Sequence, residues 1–125
     1  MKHLGVPDLK GHGSFRFRQK RLRFIVLPRY GCDLQTMLDQ SKSNLSVESS
    51  SSIAIQVLDS LEYLHSKGFV HKDLKGSNLI FGLSAGGSKQ VYLVDYGLTS
   101  RYLHLGLHKP FEPDARSAHE GETTI

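Results

Sequence analysis

The sequence contains one cysteine, no long apolar run, and no apolar segment behind its first residues. Because Cys32 has no partner within the chain, an internal disulfide framework is excluded, which indicates a reducing, intracellular setting. A membrane-spanning helix needs roughly 20 apolar residues, and a secretory signal needs an apolar core. The sequence therefore predicts a protein with neither a membrane span nor a secretory signal.

The 125 residues are 38% hydrophobic and 22% charged, a composition typical of one globular domain. The formal net charge is +4, which favours an anionic partner such as a nucleotide, an acidic peptide or a nucleic acid. Much of the excess lies between Arg16 and Arg23. This segment alternates basic and apolar residues, so we expect a solvated strand face there rather than direct nucleic-acid binding.

The first third of the chain has the pattern of a β-hairpin. Residues 1–14 show no periodicity and are predicted to form a lead-in loop. Phe15 to Arg18 alternates apolar and basic residues, as a half-buried strand does. Leu22 to Leu27 is mostly apolar and ends at Pro28, which predicts a more buried strand that pairs with the first.

Helical spacing dominates the middle of the chain. Asp33 is positioned to cap a short helix over residues 34–40. A long helix is predicted from near Ser46 to Gly68, since apolar residues recur on one face at Ile53, Val57, Leu61 and Leu64. Short strands are predicted at Phe69–Val70, Leu79–Phe81 and Val91–Val94, and residues 100–125 are predicted to be irregular.

The loop between these strands contains the most informative motif. His71-Lys-Asp-Leu-Lys-Gly-Ser-Asn78, followed by Asp95-Tyr-Gly97, matches the protein-kinase patterns H-R-D-L-x-x-x-N and D-F-G with one conservative change each. The first half follows a long amphipathic helix and the second half closes a strand. Each residue alone is an ordinary loop residue, but the joint pattern with its spacing indicates phosphoryl transfer.

Phosphoryl transfer requires a positioned nucleophile and neutralised phosphate charge. In this interpretation Asp73 orients the substrate hydroxyl and accepts its proton, and Lys75 places a cation near the γ-phosphate of ATP. Asn78 and Asp95 offer the hard oxygen ligands that Mg²⁺ prefers. His71 is predicted to be a packed core residue.

Two motif positions differ from the usual pattern. Lys72 stands where arginine is usual, and it offers a point charge instead of a bidentate fork. Tyr96 stands where phenylalanine is usual, which adds a hydroxyl to a ring that normally packs in the core. Neither change removes a metal ligand or the base.

Longer segments resemble the vaccinia-related kinase family of the casein kinase I group. They are Leu22-Arg-Phe-Ile-Val-Leu-Pro-Arg-Tyr-Gly31 with Asp33-Leu-Gln35, Leu61-Glu-Tyr-Leu-His65, and Gln90-Val-Tyr-Leu-Val-Asp-Tyr-Gly-Leu98 with Arg101-Tyr102 and His108-Lys109. The resemblance implies a serine/threonine kinase, nuclear or cytoplasmic, that uses ATP and Mg²⁺ on protein substrates, chromatin-associated ones among them. It makes Asp-Tyr-Gly the expected form of the second motif.

The same resemblance implies a fold of the α+β class, a partial protein-kinase fold of hinge strands, long helix, catalytic loop and β-hairpins. Within 1–125, residues 1–14 would be the lead-in loop, 15–31 the N-lobe strands and hinge, and 32–125 the C-lobe through the early activation segment. Most of the N-lobe and the rest of the C-lobe are expected to be absent.

The resemblance also implies a nucleotide-binding hinge. Leu27 would be the gatekeeper beside the adenine. The carbonyl of Pro28 and the N–H of Tyr30 would meet the adenine edge, and Pro28 can serve because only its carbonyl is required. Ile80 would form the apolar floor under the ring.

Several kinase parts are missing from the sequence. The first glutamate is Glu48, after the hinge, so the usual lysine–glutamate pair cannot form within the chain as the family places it. Gly11-His-Gly-Ser-Phe15 imitates a glycine-rich loop, but no strand with the V-A-I-K pattern follows, and nothing resembles A-P-E after Asp95. We therefore expect a fragment that is weakly stable and inactive alone.

Two alternatives remain open from the sequence. One is a non-catalytic, kinase-like interaction module that binds nucleotide weakly or not at all. The other is a small basic nucleic-acid-binding protein. Loss of magnesium-dependent ATP binding in Asp95→Asn would distinguish the kinase interpretation from both.

Overall fold

The computed structural model describes residues 3–41, 45–83, 89–104 and 106–109. In chain order the elements are β1 (Gly11–Phe17), β2 (Lys20–Val26), α1 (Leu34–Ser41), α2 (Val47–Ser66), β3 (Phe69–Val70), β4 (Leu79–Phe81), β5 (Val91–Leu93), β6 (Ser100–Arg101), β7 (Leu103–His104) and β8 (Leu107–His108). The strands pair antiparallel as β1–β2, β3–β6, β4–β5 and β7–β8. Short 3₁₀ turns cover Gly76–Asn78 and Tyr96–Leu98.

Strands β1 and β2 form the predicted hairpin, with two corrections. β1 begins at Gly11, so the predicted lead-in loop is shorter than 14 residues. Gly13 is part of this longer strand and is paired with Phe24 of β2. The Phe24 ring occupies the space that a side chain at position 13 would need, so glycine suits the position. β2 is exposed throughout, although its apolar pattern predicted a more buried strand. The reason is that the described elements outside the hairpin hardly touch it.

Both helices begin where the sequence predicts. Thr36 donates its backbone N–H to Asp33 Oδ1 over 2.8 Å and its hydroxyl to Asp33 Oδ2 over 2.7 Å, which caps α1. These bonds hold the pKa of Asp33 below its ordinary value. Ser46 caps α2 by accepting the Ser49 N–H over 3.1 Å. Gly68 follows α2 with a φ of +80°, which a side chain would strain.

The small core lies between α2 and the β4–β5 pair. Leu79, Val91 and Leu93 are its buried hydrophobic residues, and the described residues packed against them are Leu34, Ile53, Val57, Leu61 and Phe81. Gln56 of α2 fixes the start of β5, because its Oε1 accepts the Val91 N–H over 2.9 Å. The predicted apolar stripe of the long helix is therefore confirmed as its core face.

The segment before β1, which was predicted to be a lead-in loop, is anchored to the core. Leu93 of β5 donates its N–H to the Gly5 carbonyl over 2.9 Å. Gly5 is buried against Ser60 of α2, whose Oγ occupies the place of a side chain at position 5. The His3 ring stacks on Tyr63 with centroids 4.9 Å apart. The chain thus passes over the outer side of the core before the hairpin.

The segment after residue 100 is more regular than predicted. β6 pairs with β3, and β7 pairs with β8. Tyr102 donates its hydroxyl to the His65 carbonyl over 3.0 Å, which ties this segment to the end of α2. The rest of the predicted irregular region, residues 105 and 110–125, lies outside the described residues. No helix among the described residues has the length and apolar character to cross a membrane.

Candidate functional site

Asp73 is the centre of a hydrogen-bonded cluster in the loop after β3. Its Oδ2 accepts a bond from Asn78 Nδ2 over 2.9 Å and lies 2.9 Å from Lys75 Nζ. Asn78 Nδ2 also donates to the Asp73 backbone carbonyl over 2.9 Å. Asp73 Oδ1 has no hydrogen-bond partner among the described residues. The sequence-predicted catalytic pair Asp73 and Lys75 is therefore in contact, and Asn78 joins it.

The charge state of Asp73 follows from these neighbours. The hydrogen bond from Lys75 is the largest influence, and with the bond from Asn78 it lowers the pKa of Asp73 below its ordinary value. Partial burial acts in the opposite direction but does not outweigh the two donors. Asp73 is consequently a carboxylate at neutral pH, with one oxygen held and the other able to accept a proton.

His71 fixes the loop on which this cluster stands. Its side chain is 2% exposed, which confirms the prediction of a packed core residue. Asp73 donates its backbone N–H to His71 Nδ1 over 3.2 Å, so Nδ1 carries no proton. Nε2 therefore carries the proton and donates it to the Val94 carbonyl over 3.0 Å. One imidazole thus joins the Asp73 loop to the segment that leads into Asp95.

Asp95 and Tyr96 form the turn after β5. Asp95 has a left-handed backbone with a φ of +60°, and its Oδ1 accepts the Gly97 N–H over 3.2 Å. Tyr96 donates its hydroxyl to the Leu93 carbonyl over 3.0 Å, and burial raises its pKa to about 12. Its ring meets His71 edge-on with centroids 5.1 Å apart. The hydroxyl that distinguishes Tyr96 from the usual phenylalanine is therefore hydrogen-bonded within the fold.

The donor set suits a magnesium ion. Val94 donates its N–H to the Asn78 carbonyl over 2.9 Å, so Asp95 follows directly from a residue bonded to Asn78. The Asn78 amide oxygen has no hydrogen bond to a described residue, and the Asp95 side chain is exposed. An amide oxygen and a carboxylate oxygen are ligands that Mg²⁺ accepts, alongside waters and phosphates. Within the described ranges, no three His, Cys, Asp or Glu side chains form a metal cluster.

The predicted hinge lies beside β4. Gly31 donates its N–H to the Phe81 carbonyl over 2.7 Å, and Phe81 donates to the Cys32 carbonyl over 3.0 Å. The Pro28 carbonyl and the Tyr30 N–H make no backbone hydrogen bond within the described part of the chain. The Tyr30 ring packs on Tyr92, the residue paired with Ile80, with ring centroids 4.6 Å apart.

A cavity of about 630 Å³ opens between the hairpin and the turn at Asp95. It is lined by Val6, Pro7, Leu9, Ile25, Leu27, Val94, Asp95, Tyr96 and Gly97. The cavity thus brings together the predicted gatekeeper Leu27 and the predicted metal ligand Asp95. The cluster around Asp73, the backbone of the predicted hinge and Ile80 lie outside its lining. The sequence-predicted site is therefore divided between a bonded cluster and an open cavity.

Sequence reasoning missed the apolar wall of this cavity. Val6, Pro7 and Leu9 fall in the segment that was predicted to be a loop without structure. Their apolar character within a Gly- and His-rich segment was the available signal. It also missed the bridging role of His71, because hydrogen bonds to the Asp73 N–H and to Val94, 23 residues away, leave no periodic pattern.

The comparisons with known proteins agree with this geometry. The model of the protein kinase domain family matches residues 13–110. Nucleosomal histone kinase 1 of Drosophila melanogaster is 42% identical over 121 residues, which are 97% of this chain and 20% of that protein. Human serine/threonine-protein kinase VRK2 is 37% identical over 97% of this chain and 23% of that protein. The B1 kinase of vaccinia virus (strain Western Reserve) is 33% identical over 89% of this chain and 36% of that protein.

This chain thus spans between a fifth and about a third of the length of these three relatives. The match to the kinase domain covers both the hairpin and the two loop motifs. The sequence-based resemblance is confirmed, and so is the α+β class with its hinge strands, long helix and catalytic loop. The chain belongs to the protein kinase family, in its vaccinia-related group, and its fold is part of that domain.

Proposed function

We propose that this chain is the catalytic-loop part of a serine/threonine protein kinase that transfers the γ-phosphoryl group of ATP to a protein hydroxyl. The observation that carries the proposal is the cluster in which Asp73 Oδ2 meets both Lys75 Nζ and Asn78 Nδ2 at 2.9 Å. A turn-forming aspartate needs neither of these partners. Phosphoryl transfer uses a carboxylate, a cation and an amide together.

The proposed roles follow from the geometry of the cluster. Asp73 Oδ1, which no described residue engages, would accept the proton of the substrate hydroxyl. Lys75 is 55% exposed along its side chain, so its ammonium group can reach from Asp73 towards a phosphate. Asn78 and Asp95 would hold Mg²⁺, which when bound neutralises charge on the phosphates of ATP.

The proposed nucleotide contacts lie along the hinge. The Pro28 carbonyl and the Tyr30 N–H lack backbone partners among the described residues, which supports their pairing with the adenine edge. Leu27 borders the cavity that reaches Asp95, as a gatekeeper would. Ile80 lies in the ladder next to the hinge through its bridge with Asp33, consistent with an apolar floor under the ring.

The proposed substrate is a protein, and a chromatin-associated one is supported by the name of the nucleosomal histone kinase relative. A nuclear or cytoplasmic location is proposed on the same basis and on the single cysteine. The protein substrates of the other relatives are not given by their names.

Asp95→Asn is expected to weaken ATP binding about tenfold or more in the presence of magnesium, since a neutral amide replaces the charged ligand. The measurement is titration of a fluorescent ATP analogue into the 125-residue chain, with and without magnesium. Asp59→Asn is the matched control, because it removes an exposed carboxylate of α2 that is remote from the cluster. Equal, magnesium-independent affinities in all three proteins would favour a non-catalytic module.

The 125-residue chain alone is expected to show no appreciable turnover. No glutamate precedes Glu48 in the sequence, so the usual helix glutamate that pairs with the phosphate-binding lysine is lacking before the hinge. The measurement is transfer of labelled phosphate from ATP with magnesium to a serine-containing protein or peptide. Robust phosphorylation that depends on Asp73 would refute the expected inactivity and would strengthen the catalytic proposal.

A further inference from the structure

The β1–β2 hairpin carries an unbalanced positive charge. Residues 9–32 contain no aspartate or glutamate. The same stretch contains seven basic side chains, Lys10, Arg16, Arg18, Lys20, Arg21, Arg23 and Arg29. Four of the seven lie in the strands β1 and β2, and Arg18 lies in the turn between them. The hairpin is therefore a local source of positive potential that its own sequence does not neutralise.

The strand register gathers three arginines on one face. Residues that are directly opposite in an antiparallel pair point to the same side, and the side alternates along each strand. Arg16 is opposite Arg21, and Arg23 is opposite Ser14, two positions away on both strands. We call the side formed by Ser14, Arg16, Arg21 and Arg23 the arginine face. Ile25 and His12 lie on the same side, further from the turn. The other side carries most of the apolar side chains and one lysine, namely Phe15, Phe17, Leu22, Phe24, Val26 and Lys20.

The arginine face is accessible and lacks anionic partners. All three of its arginines are exposed. Arg21 donates two side-chain hydrogen bonds to Ser14 Oγ, from Nε over 3.4 Å and from Nη2 over 3.2 Å. Among the described residues no carboxylate forms an ion pair with Arg16, Arg21 or Arg23. Like charges directly opposite each other on a sheet are destabilising, so the Arg16–Arg21 pair costs stability unless an anion lies between them.

We propose that the arginine face binds the phosphate backbone of double-stranded nucleic acid. Guanidinium forks match phosphate oxygens bidentately, and a two-stranded β-ribbon has the width to enter a major groove. Ile25 shares this side and lines the cavity, so the duplex would approach the part of the face nearer the turn, where the three arginines are exposed. Arg18, in the turn, is not part of this face, because its guanidinium lies 5.5 Å from the centroid of the Phe17 ring on the opposite side.

A duplex fits this face better than a single strand or an acidic peptide. Single-strand binders combine cations with aromatic rings on which bases stack. Here the phenylalanine rings point to the opposite side of the hairpin from the three arginines. An acidic peptide could also engage the three arginine forks, but a duplex carries one negative charge per about 1.7 Å of its axis, which is a denser and more regular array of anions. The sequence predicted a solvated strand face here, and the register now shows that its arginines converge.

The test is a titration of the 125-residue chain into a fluorescent DNA duplex of about 20 base pairs at several salt concentrations. Replacing Arg16, Arg21 and Arg23 by glutamine is expected to weaken binding about tenfold or more. Each lost phosphate contact is also expected to reduce the slope of log affinity against log salt by about 0.9. The matched control replaces the exposed Lys67, Lys89 and Lys109 by glutamine, which removes the same net charge elsewhere.

Equal weakening in the two triple variants would overturn the proposal, because it would show a response to net charge alone. Displacement of the duplex by polyglutamate at the same charge concentration would overturn it in favour of an acidic protein partner. Circular dichroism of each variant checks that it is folded. If the variant that lacks the three arginines is unfolded, Arg16→Gln alone takes its place and is compared with the control that lacks the three lysines. Retained binding in the lysine control together with weakened binding in Arg16→Gln supports the proposal, and any other result contradicts it.

Discussion

Leu93→Ala is expected to lower the free energy of unfolding by about 2–5 kcal/mol. Leu93 is 1% exposed and is one of three buried hydrophobic residues among those described. Its neighbours Leu79 and Val91 belong to short strands, so they cannot move independently to fill the space. Small domains have only about 5–15 kcal/mol of stability in total, so this one change removes a large share of it. Urea denaturation followed by circular dichroism measures the effect.

Leu58→Ala is the matched control for this substitution. Leu58 lies on α2, is 64% exposed, and loses the same side-chain atoms on replacement. We therefore expect Leu58→Ala to change the free energy of unfolding by less than about 1 kcal/mol, because little packing is removed. Similar losses at the two leucines would contradict the assignment of the core to the α2 and β4–β5 interface.

Asn78→Asp is expected to destabilise the protein at neutral pH by about 1–3 kcal/mol. Asn78 is 6% exposed and donates 2.9 Å bonds to both the carboxylate and the carbonyl of Asp73. A carboxylate at position 78 would face the Asp73 carboxylate without the amide donor that now joins them, and the exposed Lys75 offsets this repulsion only in part. The repulsion would raise the pKa of the new group in the folded state above its unfolded value.

The sign of the pH dependence follows from that shift. A folded-state pKa above the unfolded value means that the folded state holds its proton more tightly, so stability falls as pH rises between the two values. The deficit relative to the original protein should therefore shrink as the pH is lowered from 7 towards about 4. Magnesium should also reduce the deficit at neutral pH, since it would lie near both carboxylates.

Asn78→Leu is the control for the charge. It removes the same two hydrogen bonds and adds none, so it is expected to be destabilised without the acid-side recovery. Thermal unfolding of the three proteins at several pH values separates the two effects. A deficit in Asn78→Asp that is independent of pH would show that the carboxylates at positions 73 and 78 lie too far apart to interact.

Local signals predicted much of the fold. The cap at Asp33, the start of α2 after Ser46 and its end at Gly68 are confirmed because each depends on a few neighbouring residues. The periodicity of α2 identified the face that packs on the core. Strands β4 and β5 are confirmed where the apolar runs predicted them, except that β5 ends at Leu93, one residue earlier.

Non-local relations could not be read from the sequence. The apolar pattern of β2 predicted burial, but burial depends on what packs against the strand, and the described elements leave it exposed. Gly5 looked like a loop glycine, although its backbone is seated on Ser60, 55 residues later in the chain. At the candidate site the motif predicted Asp73, Lys75 and Asn78. It did not predict that the His71 imidazole joins their loop to Val94, because this bond connects residues that are distant in the sequence.

The hinge bonds have a mechanical consequence. Gly31 and Cys32 are bonded to Phe81, which lies three positions after Asn78, so the end of the hinge and the catalytic loop form one stiff unit. On the hairpin side, the Val26 carbonyl at the end of β2 accepts a hydrogen bond from the Lys10 N–H, just before β1. Residues 27–30 have no backbone hydrogen bond within the described ranges. The hairpin is also joined to the core through residues 6–9, which follow the anchored Gly5, so any movement of the hairpin relative to the Asp73 cluster must bend the chain at residues 27–30 and in this second connection together.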